Sequence, residues 1–533
     1  MLKLEKKMNR RRFIKTTAAV GIGLEIAPKL LKGFEEPELL TQDDFLESDN
    51  VVIILELFGG NDGLNTVIPA DDDEYYKLRP NIGIPKEETI KVNDLYFNKA
   101  LVKDQKNDGL KRMFEDGRLA IVEGIGYDQP NLSHFRSQDI WLSGINPKSN
   151  HKEQLLEGWL GRYFALKLPN YPLQIPEHPI SISIDGSISL IFKSDKGDMG
   201  VALTNPDEFY KLGVGLTPKE SLKQGINNYE KEFNFIHTIA RQSDIYSQAV
   251  KTAYDLGIQK INGNLYSDTE LSQKFKLISA LIAGGLKTKV YFVKLSNFDT
   301  HAQQMNTTYT GQHYLLLNAV SKAISEFMQD ALENGFSERI TGMTISEFGR
   351  RAYDNGSRGT DHGAASLQFI WGNDKFVNGG YWNNRPNLVD LDANGNIKYQ
   401  TDYRVIYTEI LEKRLGATPE DVLKVFGEPF LPLNILEKRV SSVTERNFLG
   451  KYGIIISPNP NSGNGNIQFE LKYSAFVDIS IFNLTGRIQQ TIQRSYLTEG
   501  IYKIPFHIEE NGTFVVAITA GNCRYSEKFT VFR

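Results

Sequence analysis

Lys289–Val–Tyr–Phe–Val–Lys–Leu295 and Ile340–Thr–Gly–Met–Thr–Ile345 are two apolar runs. Between them, residues 315–331 carry Leu316, Val320, Ala323, Ile324 and Phe327 at a helical period. Strand, helix, strand in that order is the crossover unit of a parallel sheet, whose strands read as continuous apolar runs because both faces are covered. Working outward, Val51–Val–Ile–Ile–Leu–Glu–Leu57 and Leu119–Ala–Ile–Val–Glu123 supply two more strands. The first ends in Phe58–Gly59–Gly60–Asn61–Asp62–Gly63, the second in Gly124–Ile–Gly126. Residues 230–285 are predicted as packing helices, from Phe233, Ile236, Ile239 and Ala240 and then Phe275, Ile278 and Leu281. A short helix is predicted from Thr418, with Thr418 as its cap and Pro419 in its first turn. The expected fold class is α/β, a mostly parallel sheet sandwiched by helices over residues 50–432.

Ligands of such sheets sit beyond the carboxyl ends of the strands. There the chain places Asp299–Thr–His301, Ser346–Glu347–Phe348–Gly349 and Gly359–Thr360–Asp361–His362–Gly363, the last just before the apolar run Leu367–Gln–Phe–Ile–Trp371. Carboxylates and imidazoles at successive strand ends are the donors of a divalent-metal site. Asp299, His301, Glu347, Asp361 and His362 are the candidate ligands, with Asp62 as a further one. Asp299 and His301 alternate on an extended segment, so a bend is needed to aim both at one ion. Asp62 reads equally as a ligand or as the acceptor of an Asx-type turn. Oxygen donors with His fit zinc, manganese or magnesium, or calcium if the His residues stay out.

Ser133–His134–Phe135–Arg136–Ser137 opens a helix shortly after Pro130. Ser133 at the helix N-terminus is either a plain cap or, on a metal, an activated nucleophile facing an anion. His134 and Arg136 either contact that anion or pair on the surface. No Gly-x-Ser-x-Gly elbow is present, so nothing points to an α/β-hydrolase triad.

The 533 residues suffice for two or three domains. The formal net charge of −4, with no basic stretch in the body, gives no sign of a nucleic-acid partner. The single cysteine, Cys523, excludes an intrachain disulfide and a Cys-rich metal site. At the N-terminus, Asn9–Arg10–Arg11–Arg12–Phe13–Ile14–Lys15 precedes the apolar stretch Thr16–Leu24. It resembles a twin-arginine export signal, taken as residues 1–35.

The chain changes character after about residue 433. A linker is expected over 433–453, and the turn-rich Pro458–Asn459–Pro460–Asn461–Ser462–Gly463–Asn464–Gly465 opens a series of short alternating segments. Segments at 467–471, 477–482, 501–504, 513–519 and 528–532 predict a small antiparallel β-sandwich over 454–533. Ser457–Pro–Asn–Pro460, Ile481–Phe–Asn–Leu–Thr–Gly486, Leu497–Thr–Glu–Gly–Ile–Tyr502 and the terminal Lys528–Phe–Thr–Val–Phe–Arg533 resemble the C-terminal sorting domain of the type IX secretion system. The two resemblances imply the twin-arginine and type IX export machineries as partners. They also imply passage through the periplasm to the cell surface or beyond.

The body resembles the domain of unknown function 1501 family. The matching stretches include Phe58–Gly–Gly–Asn–Asp–Gly–Leu–Asn–Thr66, Ser133–His–Phe–Arg–Ser137, Gly158–Trp–Leu–Gly–Arg162, Phe298–Asp–Thr–His301, Ser346–Glu–Phe–Gly–Arg350 and Gly359–Thr–Asp–His–Gly363. That family is in turn similar to the alkaline phosphatase and sulfatase superfamily. The resemblance implies Asp62, Asp299, His301, Glu347 and His362 as metal ligands and Ser133 as nucleophile, with His134 or Arg136 on the anion. It departs at one point, where Glu347–Phe348 stands in place of an Asp–His pair, so a ligand is either missing or comes from elsewhere, with Asp361 the candidate. The function implied is an exported metal-dependent hydrolase acting on an anionic, phosphate or sulfate, ester of polysaccharide-derived or other material. The alternative is a non-catalytic cell-surface binding protein on the same fold.

Overall fold

A computed structural model describes residues 38–39, 44–102, 109–146, 155–217, 227–436, 449–471, 475–498, 500–520 and 523–533. The expected export segment, and residues 437–448 of the expected linker, lie outside the described residues. The chain divides into two compact units. The first comprises Met1–Gly124, Gln129–Lys398 and Arg414–Gly416, and the second Ile125–Asp128, Tyr399–Lys413 and Ala417–Arg533.

The first unit is built on a mixed sheet. Its strands are β1 (Val51–Leu57), β2 (Leu119–Gly126), β3 (Ser181–Ser183), β4 (Val201–Ala202), β5 (Val290–Leu295), β6 (Ile340–Ile345), β7 (Ser366–Gly372) and β8 (Gly380–Trp382). The order is β4-β3-β5-β1-β6-β7-β2-β8. β4, β3, β5, β1 and β6 run parallel, β7 runs antiparallel to β6, and β8 runs parallel to β2. Every residue of β1 is buried, and alternate residues face opposite sides, so both faces of the sheet are covered. β1 takes the central place because its Val–Val–Ile–Ile–Leu run has no polar residue before Glu56 to leave in water.

Four helices matter below: α1 (His134–Ser143), α2 (Asn228–Gly257), α3 (Glu270–Ala283) and α4 (Gln312–Glu333). α4 is the crossover between β5 and β6. Its Leu316, Val320, Ile324 and Phe327 are buried, and Phe327 meets Phe275 of α3 edge to face at 5.6 Å. The four strands expected from apolar runs are present, with β2 continuing through Gly124, whose φ of 65° is the left-handed value glycine tolerates.

The second unit holds a short strand, Thr401–Asp402, paired with Ile125–Gly126, then α5 (Tyr403–Arg414, as far as Lys413), α6 (Pro419–Phe426) and seven longer strands. α6 is bounded by a capping box between Thr418 and Asp421 and by Gly427 in the left-handed region. The strands are β9 (Leu449–Ser457), β10 (Asn464–Leu471), β11 (Ala475–Asn483), β12 (Ile488–Leu497), β13 (Gly500–His507), β14 (Gly512–Ala520) and β15 (Cys523–Val531). They form two antiparallel sheets, β9-β10-β13 and β12-β11-β14-β15. Ile467, Phe469 and Leu471 from one sheet share a core with Val477, Ile479, Ile481, Val516 and Ile518 from the other. The sequence pattern did not mark β9 and β12. Both are edge strands, and Ile488–Gln–Gln–Thr–Ile–Gln–Arg494 carries the polar side chains by which an edge avoids further pairing.

Candidate metal centre

Three strand ends are drawn together by backbone contacts that leave no room for side chains. Phe58 N–H donates to Leu295 O at 2.9 Å, and Phe298 N–H returns to Phe58 O at 3.1 Å. Gly59 has φ +123°, and a Cβ there would lie 2.2 Å from Asp299 N, so only glycine lets the loops after β1 and β5 touch. Thr300 N–H donates to Phe298 O at 2.8 Å, the bend that brings Asp299 and His301 to the same side. The segments after β6 and before β7 lie side by side through the isolated bridge Arg350–His362 and the bond from Gly363 N–H to Gly349 O at 2.9 Å.

Arg350 fastens this assembly. Its side chain is 1 % exposed, and its guanidinium donates to Gly60 O at 2.9 Å, Thr360 O at 2.8 Å, Phe298 O at 2.9 Å, Asp299 Oδ1 at 2.7 Å and Gly59 O. One fork thus ties three loops and one carboxylate. Burial acts to raise the Asp299 pKa, and the Arg350 guanidinium overrides it and holds the group below the usual carboxylate range.

Three imidazoles surround Asp299. His301 Nε2 and His362 Nε2 each lie 3.2 Å from Asp299 Oδ1 and 2.9 Å from one another. His134 Nε2 lies 3.4 Å from Asp299 Oδ2. On the opposite edge of each ring an acceptor faces Nδ1: Glu347 Oε1 at 2.7 Å from His134, Asp361 Oδ1 at 3.2 Å from His301, and Leu132 O at 2.8 Å from His362. In a neutral imidazole an acceptor at Nδ1 keeps the proton there and leaves Nε2 as a lone pair. The three lone pairs and the carboxylate therefore point at one another, an arrangement that repels unless a cation stands among them. His134 Nε2 is a buried atom with no hydrogen-bond partner. These four donor separations of 2.9–3.4 Å lie at or a little below the roughly 3.4 Å expected between donors held tetrahedrally about 2.1 Å from a zinc-sized ion. Residues and geometry together fit a divalent metal.

The remaining polar groups are supports. The Glu347 side chain is fully buried, accepts Gly59 N–H at 2.8 Å and pulls the His134 pKa upward. Burial lowers the pKa of His362. The Phe348 ring packs 4.6 Å from His362 and 4.9 Å from His134, an apolar backing for two imidazoles. Ser133 is exposed at the N-cap of α1 and makes no side-chain capping bond. It is flanked by two residues that touch the centre, Leu132 through its carbonyl and His134 through its ring. Arg136 is half-buried, with its charge near Asp139.

Of the residues singled out from sequence, Asp299, His301, Glu347, Asp361, His362 and His134 come together. Asp62 does not join the imidazoles. It is 1 % exposed, and its Oδ2 accepts from Arg79 Nη1 at 2.6 Å and from Gln304 Nε2 at 2.5 Å. Burial acts to raise its pKa, and Arg79 overrides this, leaving it lowered. The sequence reading gave no role to Arg350, Arg79 or the Leu132 carbonyl. Arg350 closes the quoted Ser346–Arg350 stretch, which was the available signal. A carbonyl carries none.

The molecule is thus an α/β protein with a His/Asp centre at its strand ends, joined to an antiparallel β-sandwich. Residues 216–380 match the family model described as "Protein of unknown function (DUF1501)" and residues 456–532 the one described as "Secretion system C-terminal sorting domain". The sorting domain marks type IX export to the cell surface or the surroundings. No helix among the described residues is long and apolar enough to cross a membrane.

No curated protein matches the chain. Among solved structures, a protein in the alkaline phosphatase superfamily from Vibrio parahaemolyticus is 8% identical, with 95% of this chain and 92% of that one covered and a TM-score of 0.27. The PsFucS1 sulfatase from Pseudoalteromonas sp. is 9% identical, with 89% and 90% covered and a TM-score of 0.31. The lipoteichoic acid synthase LtaP from Listeria monocytogenes is 7% identical, with 70% and 74% covered and a TM-score of 0.28. At such TM-scores the description of the fold rests on the sheet order above.

Proposed function

We propose that the chain is an exported, metal-dependent hydrolase of phosphate or sulfate esters. The observation that carries this reading is the convergence of three imidazole Nε2 atoms and Asp299 beside the N-terminus of α1. A divalent ion held there supplies Lewis-acid stabilisation of developing negative charge and lowers the pKa of a hydroxyl beside it. Three nitrogen donors and one oxygen donor favour zinc or manganese over magnesium and calcium, which prefer all-oxygen sites.

The chain's own residues do the rest. Ser133, with no capping bond to hold its hydroxyl, is the nucleophile in this reading. The positive end of the α1 dipole favours the anionic group of the ester, and Arg136 adds positive charge on the same helix. Glu347 and Asp361 hold the His134 and His301 rings in the tautomer that exposes Nε2. The expected substrates are anionic esters, polysaccharide-derived ones among them, met outside the cell.

The test is turnover of aryl phosphate and aryl sulfate esters by the metal-loaded full chain and its Ser133→Ala variant. The reading predicts turnover by the native chain and its loss in the variant with an unchanged melting temperature. Equal turnover by both rejects Ser133 as nucleophile. No turnover by a metal-loaded native chain rejects catalysis and leaves a surface binding protein.

A further inference from the structure

We infer that the centre takes one divalent ion per chain, held by Nε2 of His134, His301 and His362 together with Asp299, and that Asp62 has no part in it. This rests on the metal reading above, and it adds a count and a division of labour.

Asp62 already has its cation. The Arg79 guanidinium is as buried as the carboxylate it binds, and it also donates to Asn65 Oδ1 at 2.8 Å, Ala352 O at 2.9 Å and Arg351 O at 2.8 Å. For Asp62 to turn to a metal, that guanidinium must stay behind, buried without its counter-charge. A fixed internal cation thus already neutralises Asp62 through Oδ2, although Oδ1 is buried without a hydrogen-bond partner.

Glu347 and Asp361 are also outside the ligand set. Each sits on the Nδ1 edge of a ring whose Nε2 faces the centre, so each orients a ligand instead of being one. The ligand atoms of His134, Asp299 and His362 all lie within 4.8 Å of one another. His301 joins them through its 2.9 Å and 3.2 Å separations from His362 and Asp299.

The experiment uses the full chain, stripped by a chelator and titrated with Zn2+ alone, then with Mn2+ alone. Ions per chain are counted by elemental mass spectrometry and affinities measured by calorimetry. One ion per chain is expected. His134→Ala and His301→Ala should each weaken it at least a hundredfold, and the double variant D62N/R79M should bind one ion within about threefold of the native affinity. Two ions per chain, none, or loss of the ion in the double variant overturns the inference. Should the double variant not fold, X-ray absorption of the native zinc-loaded chain decides. Three imidazoles and one carboxylate support the inference, and fewer than three imidazoles contradict it. One bound ion with no ester turnover would leave this inference standing and remove only the hydrolase reading.

Discussion

Asp62 and Asp299 follow adjacent parallel strands, β1 and β5, and each pairs with a buried arginine, yet they serve different ends. Asp62 is enclosed. Arg79 and Gln304 share its Oδ2, while its Oδ1 is buried without a hydrogen-bond partner. Asp299 is half-open, and the Arg350 that anchors it leaves both of its oxygens beside imidazole lone pairs. A third strand-end acid makes the contrast complete. Glu56, at the end of β1, is fully buried with Gln138 Nε2 at 2.6 Å and Lys294 no nearer than 3.8 Å. Burial raises its pKa from 4.5 to about 7, with Lys294 pulling the other way. A strand-end carboxylate is a structural ion pair, a proposed ligand or a near-neutral acid according to what the neighbouring loops aim at it.

The sharpest way to break the comparison is at Asp62. Arg79→Met should cost roughly 3–5 kcal/mol of folding stability, because it leaves a buried carboxylate unpaired. Denaturant unfolding measures this, and a loss below about 1 kcal/mol would mean that Asp62 is not the closed pair described. At Asp299 the expected loss is in metal binding. Glu347→Gln should weaken zinc by about 10–100-fold, the usual cost of an orienting partner, without changing the count of ions. A calorimetric titration that finds native affinity would place Glu347 outside the centre's support.

Glu56 tests the intermediate case through pH. Its folded pKa is raised, so the native state binds its proton more tightly than the unfolded chain does. The stability it contributes is fully present below pH 4.5 and is lost as pH rises through about 7. Glu56→Gln should remove that loss and leave the variant more stable than the native chain above pH 7, by on the order of 1–3 kcal/mol. Parallel stability–pH curves for the two would contradict it. The smallest effect belongs to a site with no charge role. Thr418→Ala deletes the cap of α6 and should cost about 1 kcal/mol while leaving zinc affinity alone.

Much of this architecture was legible because burial leaves a periodic trace. The runs at 51–57, 290–293 and 340–345 are continuous because water reaches neither face, and α4 shows its period because one stripe packs and the other does not. The edge strand β12 left no such trace. The centre was legible where chemistry and strand ends coincide, at Asp299, His301, Glu347, Asp361 and His362. Pairing was not legible. Arg79 lies seventeen residues from Asp62 with no pattern linking them, and Arg350 acts mainly on backbone carbonyls, which no residue letter reveals. The place of His134 follows from Glu347 reaching its Nδ1 across 213 residues of chain, a contact only the fold supplies.

The most direct test is a crystal of the zinc-soaked full chain measured at the metal's absorption edge. One anomalous peak is predicted, about 2.0–2.2 Å from Nε2 of His134, His301 and His362 and from an Asp299 oxygen. A peak at Asp62, a second peak of equal height, or none at the three imidazoles would contradict the account.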